Sequence, residues 1–189
     1  MRVVAYLKGT PQQSLKAVVR HANKCTWDCY VDSDWAGDRD ISTRSHTGMV
    51  FLCNGAPIKW LSKKQITTSK ASAEAEIYAL STAAQALKTT YYRAQELGVN
   101  AKFPGTLYVD NAAGVSFQRR TNPDTRLKGT FDLRAAWVQE LQDQQVITVE
   151  KVHTALNIAD LLTKCHQKCS HTRLIALIEQ RANELAIDI

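Results

Sequence analysis

Residues 48–61 have the sequence GMVFLCNGAPIKWL, and this stretch decides how the first part of the chain folds. Two apolar runs, 48–53 and 58–61, flank the dipeptide Asn54-Gly55. Asn and Gly both tolerate the positive φ of a type I′ turn, so Asn-Gly between apolar runs is the strongest short-range signal of a β-hairpin. A third apolar run, 27–31, precedes the hairpin. The sequence therefore predicts three antiparallel strands at the start of a sheet.

Helical and strand-like patterns alternate after the hairpin. Apolar residues at helical spacing predict a long helix from Ser72 to about Leu97, with Gly98 as its C-cap. The following elements are a strand over 106–109, a helix over 111–118, a polar and basic loop over 119–129, a helix over 131–141, a strand over 146–152 and a last helix over about 171–186. We therefore predict an α/β fold with a mixed five-stranded sheet, in which parallel strands are added to the three antiparallel ones and helices flank the sheet.

Composition limits the class of protein. With 189 residues, 44% of them hydrophobic and 22% charged, the chain can bury one sizeable core and is neither fibrous nor disordered. Neither a membrane-spanning apolar run nor a secretion signal is apparent, and the odd number of five cysteines favours reduced thiols, so we expect an intracellular protein. The net charge of +6 suits a polyanionic partner, although mildly basic domains are common.

Four acidic residues occupy positions where open α/β sheets place ligands. Asp32 and Asp110 each end a predicted strand, and Asp160 follows the last strand by a short turn. Glu76 lies in the first turns of the long helix, roughly 60° from the centre of its apolar stripe, whereas Glu74 lies roughly 100° away. Asp34 is the alternative to Asp32, because a strand's period of two turns both to the same face.

Acids that converge in this way require cations. Like charges at close range raise each other's pKa, and Mg²⁺ or Mn²⁺ relieves the repulsion. Two such ions, about 3.5–4 Å apart, can clamp the attacking and leaving oxygens of a phosphodiester. Any one acid is more often a helix cap or a surface charge, but four acids in this order favour a site with two metal ions.

Several motifs together resemble one known family. They are YLKGTP at 6–11, YVDSDWAGD at 30–38, WLSKKQ at 60–65, SAEAE at 72–76 and NIADLLTK at 157–164. These motifs resemble the ribonuclease H domain of copia-type LTR retrotransposon Pol polyproteins. Where the family usually has Thr-Lys-Pro-Leu, this chain has Cys165 and His166 after Thr163-Lys164. This difference affects substrate contacts more than the metal site.

The resemblance implies a fold, a division of the chain and an activity. Residues 1–20 would be the tail of the reverse transcriptase connection, 21–168 the ribonuclease H domain and 169–189 a C-terminal helical extension. The implied activity is endonucleolytic hydrolysis of the RNA strand of RNA–DNA hybrids during reverse transcription. It would take place in the cytoplasm, a virus-like particle or the nucleus, with a reverse transcriptase domain upstream and no membrane partner. The implied catalytic and metal-binding residues are Asp32, Glu76, Asp110 and Asp160.

Further residues are weaker candidates. His153 precedes Asp160 and could assist proton transfer, with a surface histidine as the alternative. Phosphates of the hybrid would be held by polar and basic residues near the acids and in the polar loop. We predict that these are Lys63, Lys64, Asn111, Arg119, Arg120, Arg126 and Lys128. Zinc binding by the cysteines and their neighbouring histidines is disfavoured, because the two groups lie at opposite ends of the chain.

Two other functions compete with nuclease activity. The chain could be a catalytically silent nucleic-acid-binding module derived from a retrotransposon, although intact acids at all four positions favour the enzyme. Another nuclease or an integrase on the same fold ranks last.

Overall fold

A mixed five-stranded sheet forms the centre of the computed structural model, which describes residues 2–14, 25–35, 44–111 and 130–184. The strands are β1 (Trp27–Asp34), β2 (His46–Cys53), β3 (Ala56–Lys64), β4 (Gly105–Val109) and β5 (Ile147–Lys151). Their order is β3-β2-β1-β4-β5. β1, β2 and β3 pair antiparallel, whereas β4 runs parallel to both β1 and β5. The predicted fold class is confirmed.

Four helices and two 3₁₀ turns complete the described residues. The helices are α1 (Arg2–Gly9), α2 (Ser72–Glu96), α3 (Thr130–Asp143) and α4 (Lys168–Glu184), and the 3₁₀ turns span Thr154–Leu156 and Ile158–Leu162. Gly98, with a φ of 66°, follows α2 in the left-handed conformation expected of a C-terminal glycine. The predicted loop over 119–129 and all but the first residue of the helix predicted over 111–118 lie outside the described residues.

The hairpin between β2 and β3 has the predicted turn. Asn54 and Gly55 have φ values of 48° and 76°, both positive as a type I′ turn requires. The predicted end of β1 at Val31 is wrong, because β2 begins already at His46 and provides cross-strand partners beyond that point. Asp32 pairs with Gly48 and Asp34 with His46, so both acids lie within the strand rather than after it.

Each face of the sheet carries its own apolar core. Val31 belongs to the core formed with α2 and α3, and Tyr30 to the core formed with the second 3₁₀ turn. This division follows from the period of two in a strand, which sends neighbouring side chains to opposite faces. The second 3₁₀ turn is therefore packed onto the sheet beside β1, where Asp32 lies. None of the helices in the described ranges combines the length and apolar character needed to cross a membrane.

Candidate metal centre

Three aspartates from distant parts of the chain meet at one edge of the sheet. One carboxylate oxygen each of Asp32, Asp110 and Asp160 lies within 4.8 Å of the other two. Asp110 directly follows β4, and because β4 is parallel to β1 the two strands deliver their acids to the same edge. Within the described residues, no other group of three or more His, Cys, Asp or Glu side chains converges in this way.

Asn157 holds the turn that carries Asp160 against the sheet. Its buried side chain accepts a hydrogen bond from the Ala159 backbone N–H at 3.2 Å and so caps the second 3₁₀ turn. The same side chain donates through Nδ2 to the carbonyl oxygen of Val31 at 2.9 Å. Because Val31 immediately precedes Asp32, one amide ties the two acid-bearing segments together.

Gly48 leaves the space into which this turn packs. A Cβ atom at Gly48 would lie 2.6 Å from Cγ2 of Thr163 and 2.9 Å from the carbonyl oxygen of Ala159. The hydroxyl of Ser62, on β3, donates to the carbonyl oxygen of Leu162 at 2.6 Å. The turn is therefore held to β1, β2 and β3 at once.

Glu76 of α2 reaches the same site from the opposite face of the sheet. It lines a narrow cavity with Asp32 and Asp110, and its Oε1 accepts a hydrogen bond from Nδ2 of Asn111. Its other oxygen, Oε2, is buried and has no hydrogen-bond partner among the described residues. Burial raises the pKa of Glu76, and the negative charges of Asp110 and Asp32 add to this against the lowering effects of Asn111 and Lys164.

Glu74 has a separate, structural contact. Its Oε2 accepts a hydrogen bond from the Lys70 backbone N–H at 2.6 Å, just before the start of α2. The buried side chain of Gln65 donates to the carbonyl oxygen of Ala75 at 2.9 Å and to the Thr47 hydroxyl at 3.1 Å. These contacts fix the first turn of α2, and with it the position of Glu76.

Lys164 is a site residue that sequence reasoning missed. Its Nζ lies 2.9 Å from Oδ1 of Asp160 and 3.3 Å from Oδ2 of Asp32. Burial lowers the pKa of Lys164, but the two carboxylates outweigh it and the pKa is raised. The signal available in the sequence was the i,i+4 spacing of Asp160 and Lys164, which places an acid and a base side by side on a helical turn.

Burial also raises the pKa of Asp160. The hydrogen bond from Lys164 opposes this shift, while repulsion from Asp32 and Asp110 adds to it. The Thr163 hydroxyl donates to Oδ2 of Asp32. The aspartates are thus close enough to repel one another and are partly compensated by neighbouring donors.

The remaining predicted residues have more varied positions. Asp34 lies in β1 but does not belong to the aspartate group. His153 is exposed and caps the first 3₁₀ turn, with Nδ1 accepting from the Ala155 backbone N–H at 3.1 Å. Lys63 is exposed and Lys64 half-buried, both at the end of β3. The predicted phosphate-binding residues Arg119, Arg120, Arg126 and Lys128 lie outside the described residues.

The cysteines carry free thiols. Cys29 is buried, and burial raises the pKa of its thiol, which disfavours the thiolate that zinc binds. Cys165 and Cys169 are exposed, and within the described part of the chain neither takes part in a converging group of potential ligands.

The side chains of the aspartate cluster and Glu76 fit a divalent cation. All four are carboxylates, and oxygen ligands of this kind are what Mg²⁺ and Mn²⁺ prefer. The buried Oε2 of Glu76, which has no hydrogen-bond partner in the described structure, is the atom that a cation would satisfy. The donor set thus agrees with the cofactor that the sequence predicted.

Comparison with curated proteins finds relatives among retrotransposon polyproteins. The chain is 30% identical over 164 residues to the retrovirus-related Pol polyprotein of transposon TNT 1-94 from Nicotiana tabacum, a match that covers 80% of this chain and 12% of the polyprotein. It is 29% identical over 163 residues to the Pol polyprotein of transposon RE2 from Arabidopsis thaliana, covering 86% of this chain and 11% of that protein. The chain thus spans only a small part of these relatives. No protein-family model matches it.

Comparison with solved structures identifies the ribonuclease H fold. The crystal structure of LC11-RNase H1 in complex with an RNA/DNA hybrid superposes with a TM-score of 0.54 and 15% sequence identity. The match covers 73% of this chain and 94% of that one. At this identity the likeness concerns the arrangement of helices and strands.

Proposed function

Since this chain belongs to the ribonuclease H-like part of copia-type retrotransposon Pol polyproteins, we propose that it hydrolyses the RNA strand of RNA–DNA hybrids. The observation that carries the proposal is the convergence of Asp32, Asp110 and Asp160, with Glu76 on the same cavity. A silent binding module would have no need for four carboxylates that repel one another beside a sheet.

The four carboxylates would hold two Mg²⁺ or Mn²⁺ ions. The ions would supply charge stabilisation of the scissile phosphodiester and a nucleophile at neutral pH. The protein's part is to hold the carboxylates in place: Asn157 fixes the turn of Asp160, and Gln65 fixes the first turn of α2, which carries Glu76. Asn111 donates to Glu76 and so orients its carboxylate.

The substrate proposal rests on fold and charge. The similar LC11-RNase H1 was crystallised with an RNA/DNA hybrid. In this chain Lys63 and Lys64 lie at the end of β3, next to Gln65, which bonds to the first turn of α2. Together with the basic residues of 119–128 they would hold phosphates of the hybrid, whose geometry rather than sequence would be recognised.

The similarity to Pol polyproteins supports a proposal for the biological setting. Cleavage would be endonucleolytic and would serve reverse transcription, with a reverse transcriptase domain upstream in a longer polyprotein and with activity in the cytoplasm, a virus-like particle or the nucleus. Residues 1–20 and 169–189 would then connect this domain to its neighbours and extend it.

A cleavage assay on labelled hybrid tests the proposal directly. The full chain should cut the RNA strand of the hybrid with Mg²⁺ or Mn²⁺ and leave 5′-phosphate and 3′-hydroxyl ends, while double-stranded RNA and DNA stay intact. Asp110→Asn, which removes a charge from the cluster without a change of shape, should abolish cleavage and keep the native circular dichroism spectrum. Hybrid binding without cleavage by the unaltered chain would favour the silent module instead.

A further inference from the structure

Lys164 contacts carboxylates from two different elements of the fold. We propose that its ammonium group is a built-in counter-ion of the acidic site, which neutralises Asp32 and Asp160 while no divalent cation is bound and is displaced when a cation enters. This inference rests on the proposed function, because it concerns the same carboxylates. On this proposal, a divalent cation that binds the site must first displace the ammonium group of Lys164.

The geometry places the ammonium on the oxygens that a cation would use. Nζ of Lys164 lies 2.9 Å from Oδ1 of Asp160, and 3.3 Å and 3.4 Å from the two oxygens of Asp32. Asp32 and Asp160 are also two of the three residues whose oxygens converge. A divalent ion bound to the same oxygens would lie within a few ångströms of the ammonium, where two cations repel each other.

Lys164 makes more contacts than a lysine in an ordinary surface ion pair does. An i,i+4 pair on a helical turn links two side chains of one segment and contributes little. Lys164 forms this pair with Asp160, but it also reaches Asp32 on β1. It therefore bridges two segments at the point where their negative charges are closest.

Lys164 is also the partner that can move. Its side chain is 38% exposed, compared with 6% for Asp32 and 11% for Asp160. The carboxylates are held in place by Thr163, which bonds to Asp32, and by Asn157, which caps the turn of Asp160. A lysine has a flexible four-carbon stem, so its charge can swing into solvent while the acids stay in position.

Binding of Mn²⁺ to the full chain, without substrate, tests this inference. Lys164→Met removes the ammonium and keeps an unbranched apolar stem, and Lys168→Met, at an exposed position at the start of α4, removes an equal charge as the matched control. Titration followed by electron paramagnetic resonance should give a Kd for Mn²⁺ that is about fivefold lower in Lys164→Met than in the unaltered chain. Lys168→Met should change the Kd by less than about twofold.

Thermal unfolding supplies a second readout that does not depend on activity. In EDTA, Lys164→Met should have a lower Tm than the unaltered chain, because the carboxylates lose their counter-ion. At saturating Mn²⁺ this difference should disappear, since the ion takes over the same role. A Tm difference that persisted unchanged in Mn²⁺ would indicate a purely structural contact and would overturn the proposal.

An unchanged or weaker Mn²⁺ affinity in Lys164→Met would also overturn it. Such a result would leave the proposed function standing if the unaltered chain still cleaved hybrid RNA in the same preparation. Absence of both cleavage and Mn²⁺ binding, in the unaltered chain and in Lys164→Met alike, would overturn both proposals.

Discussion

Gly48 lies directly opposite Asp32 in the pairing of β1 and β2, and the turn that carries Asp160 packs onto that glycine. The absence of a side chain at Gly48 lets the backbone of Ala159 approach β2. The distance between two acidic residues of the site thus depends on a third residue that has no chemical role of its own.

Gly48→Ala should therefore disturb the site through its packing. The added methyl group would meet the Ala159 carbonyl oxygen and the Thr163 side chain, and overpacking of this kind costs roughly 1–3 kcal/mol. We expect urea unfolding to show that loss of stability and hybrid cleavage to fall steeply. Gly9→Ala is the control, because a Cβ atom there would have no neighbour within 4 Å. Normal stability and cleavage in Gly48→Ala would show that the turn can shift without consequence.

The two glutamates of α2 should respond differently to loss of charge. Glu76→Gln should remove Mg²⁺-dependent cleavage, because Glu76 lines the cavity shared with Asp32 and Asp110. Glu74→Gln should cleave normally and change stability by about ±0.5 kcal/mol or less, since a glutamine oxygen can still accept from the Lys70 N–H. The comparison is made with single-turnover cleavage and thermal unfolding. Equal cleavage by both variants would exclude Glu76 from the metal centre.

Stability in the absence of metal should depend on pH through Glu76. Its pKa is raised in the folded protein, so the folded state binds this proton more tightly than the unfolded chain does. Stability should consequently increase as pH falls from 7 through the raised pKa towards the ordinary value of about 4.3. Other groups titrate as well, so we compare the Tm of the unaltered chain with that of Glu76→Gln in EDTA. As the pH falls towards 5, the Tm of the unaltered chain should rise relative to the Tm of Glu76→Gln. A difference in Tm that did not change with pH would contradict the raised pKa.

Phosphate contacts at the end of β3 should be visible in the salt dependence of binding. If Lys63 meets one phosphate of the hybrid, Lys63→Ala should lower the slope of log affinity against log salt by about 0.7–0.9. Lys102→Ala is the control, because Lys102 is also exposed but lies before β4, at the opposite end of that strand from Asp110. Equal slopes for all three proteins, measured by fluorescence anisotropy on hybrid, would place Lys63 outside the interface.

The sheet could be predicted from local patterns because its strands and turns have local causes. The Asn54-Gly55 turn predicts the antiparallel hairpin, and the alternation of helices and strands after it predicts the added parallel strands. The end of β1 was predicted too early, since the strand continues only because His46 and Thr47 pair with it across the sheet.

Gly48 and Lys164 could not be assigned roles in the same way. The role of Gly48 depends on the approach of Ala159, and that of Lys164 on its contact with Asp32, so both need distant segments to be placed in three dimensions. Glu76 could be preferred to Glu74 from the helical angle, but the hydrogen bond that Glu74 accepts from the Lys70 backbone N–H depends on the conformation of the loop before α2.

The late position of Asp160 in the chain has a consequence for partly synthesised protein. β1 lies at the centre of the sheet, yet Asp160 and its counter-ion Lys164 come only after β5, which is the last strand to be translated. A nascent chain that has left the ribosome only as far as Val152 contains Asp32, Glu76 and Asp110 but cannot bring a fourth acid to them. A polypeptide that ends between Val152 and Asn157 therefore contains all five strands but lacks the fourth acid of the proposed metal centre.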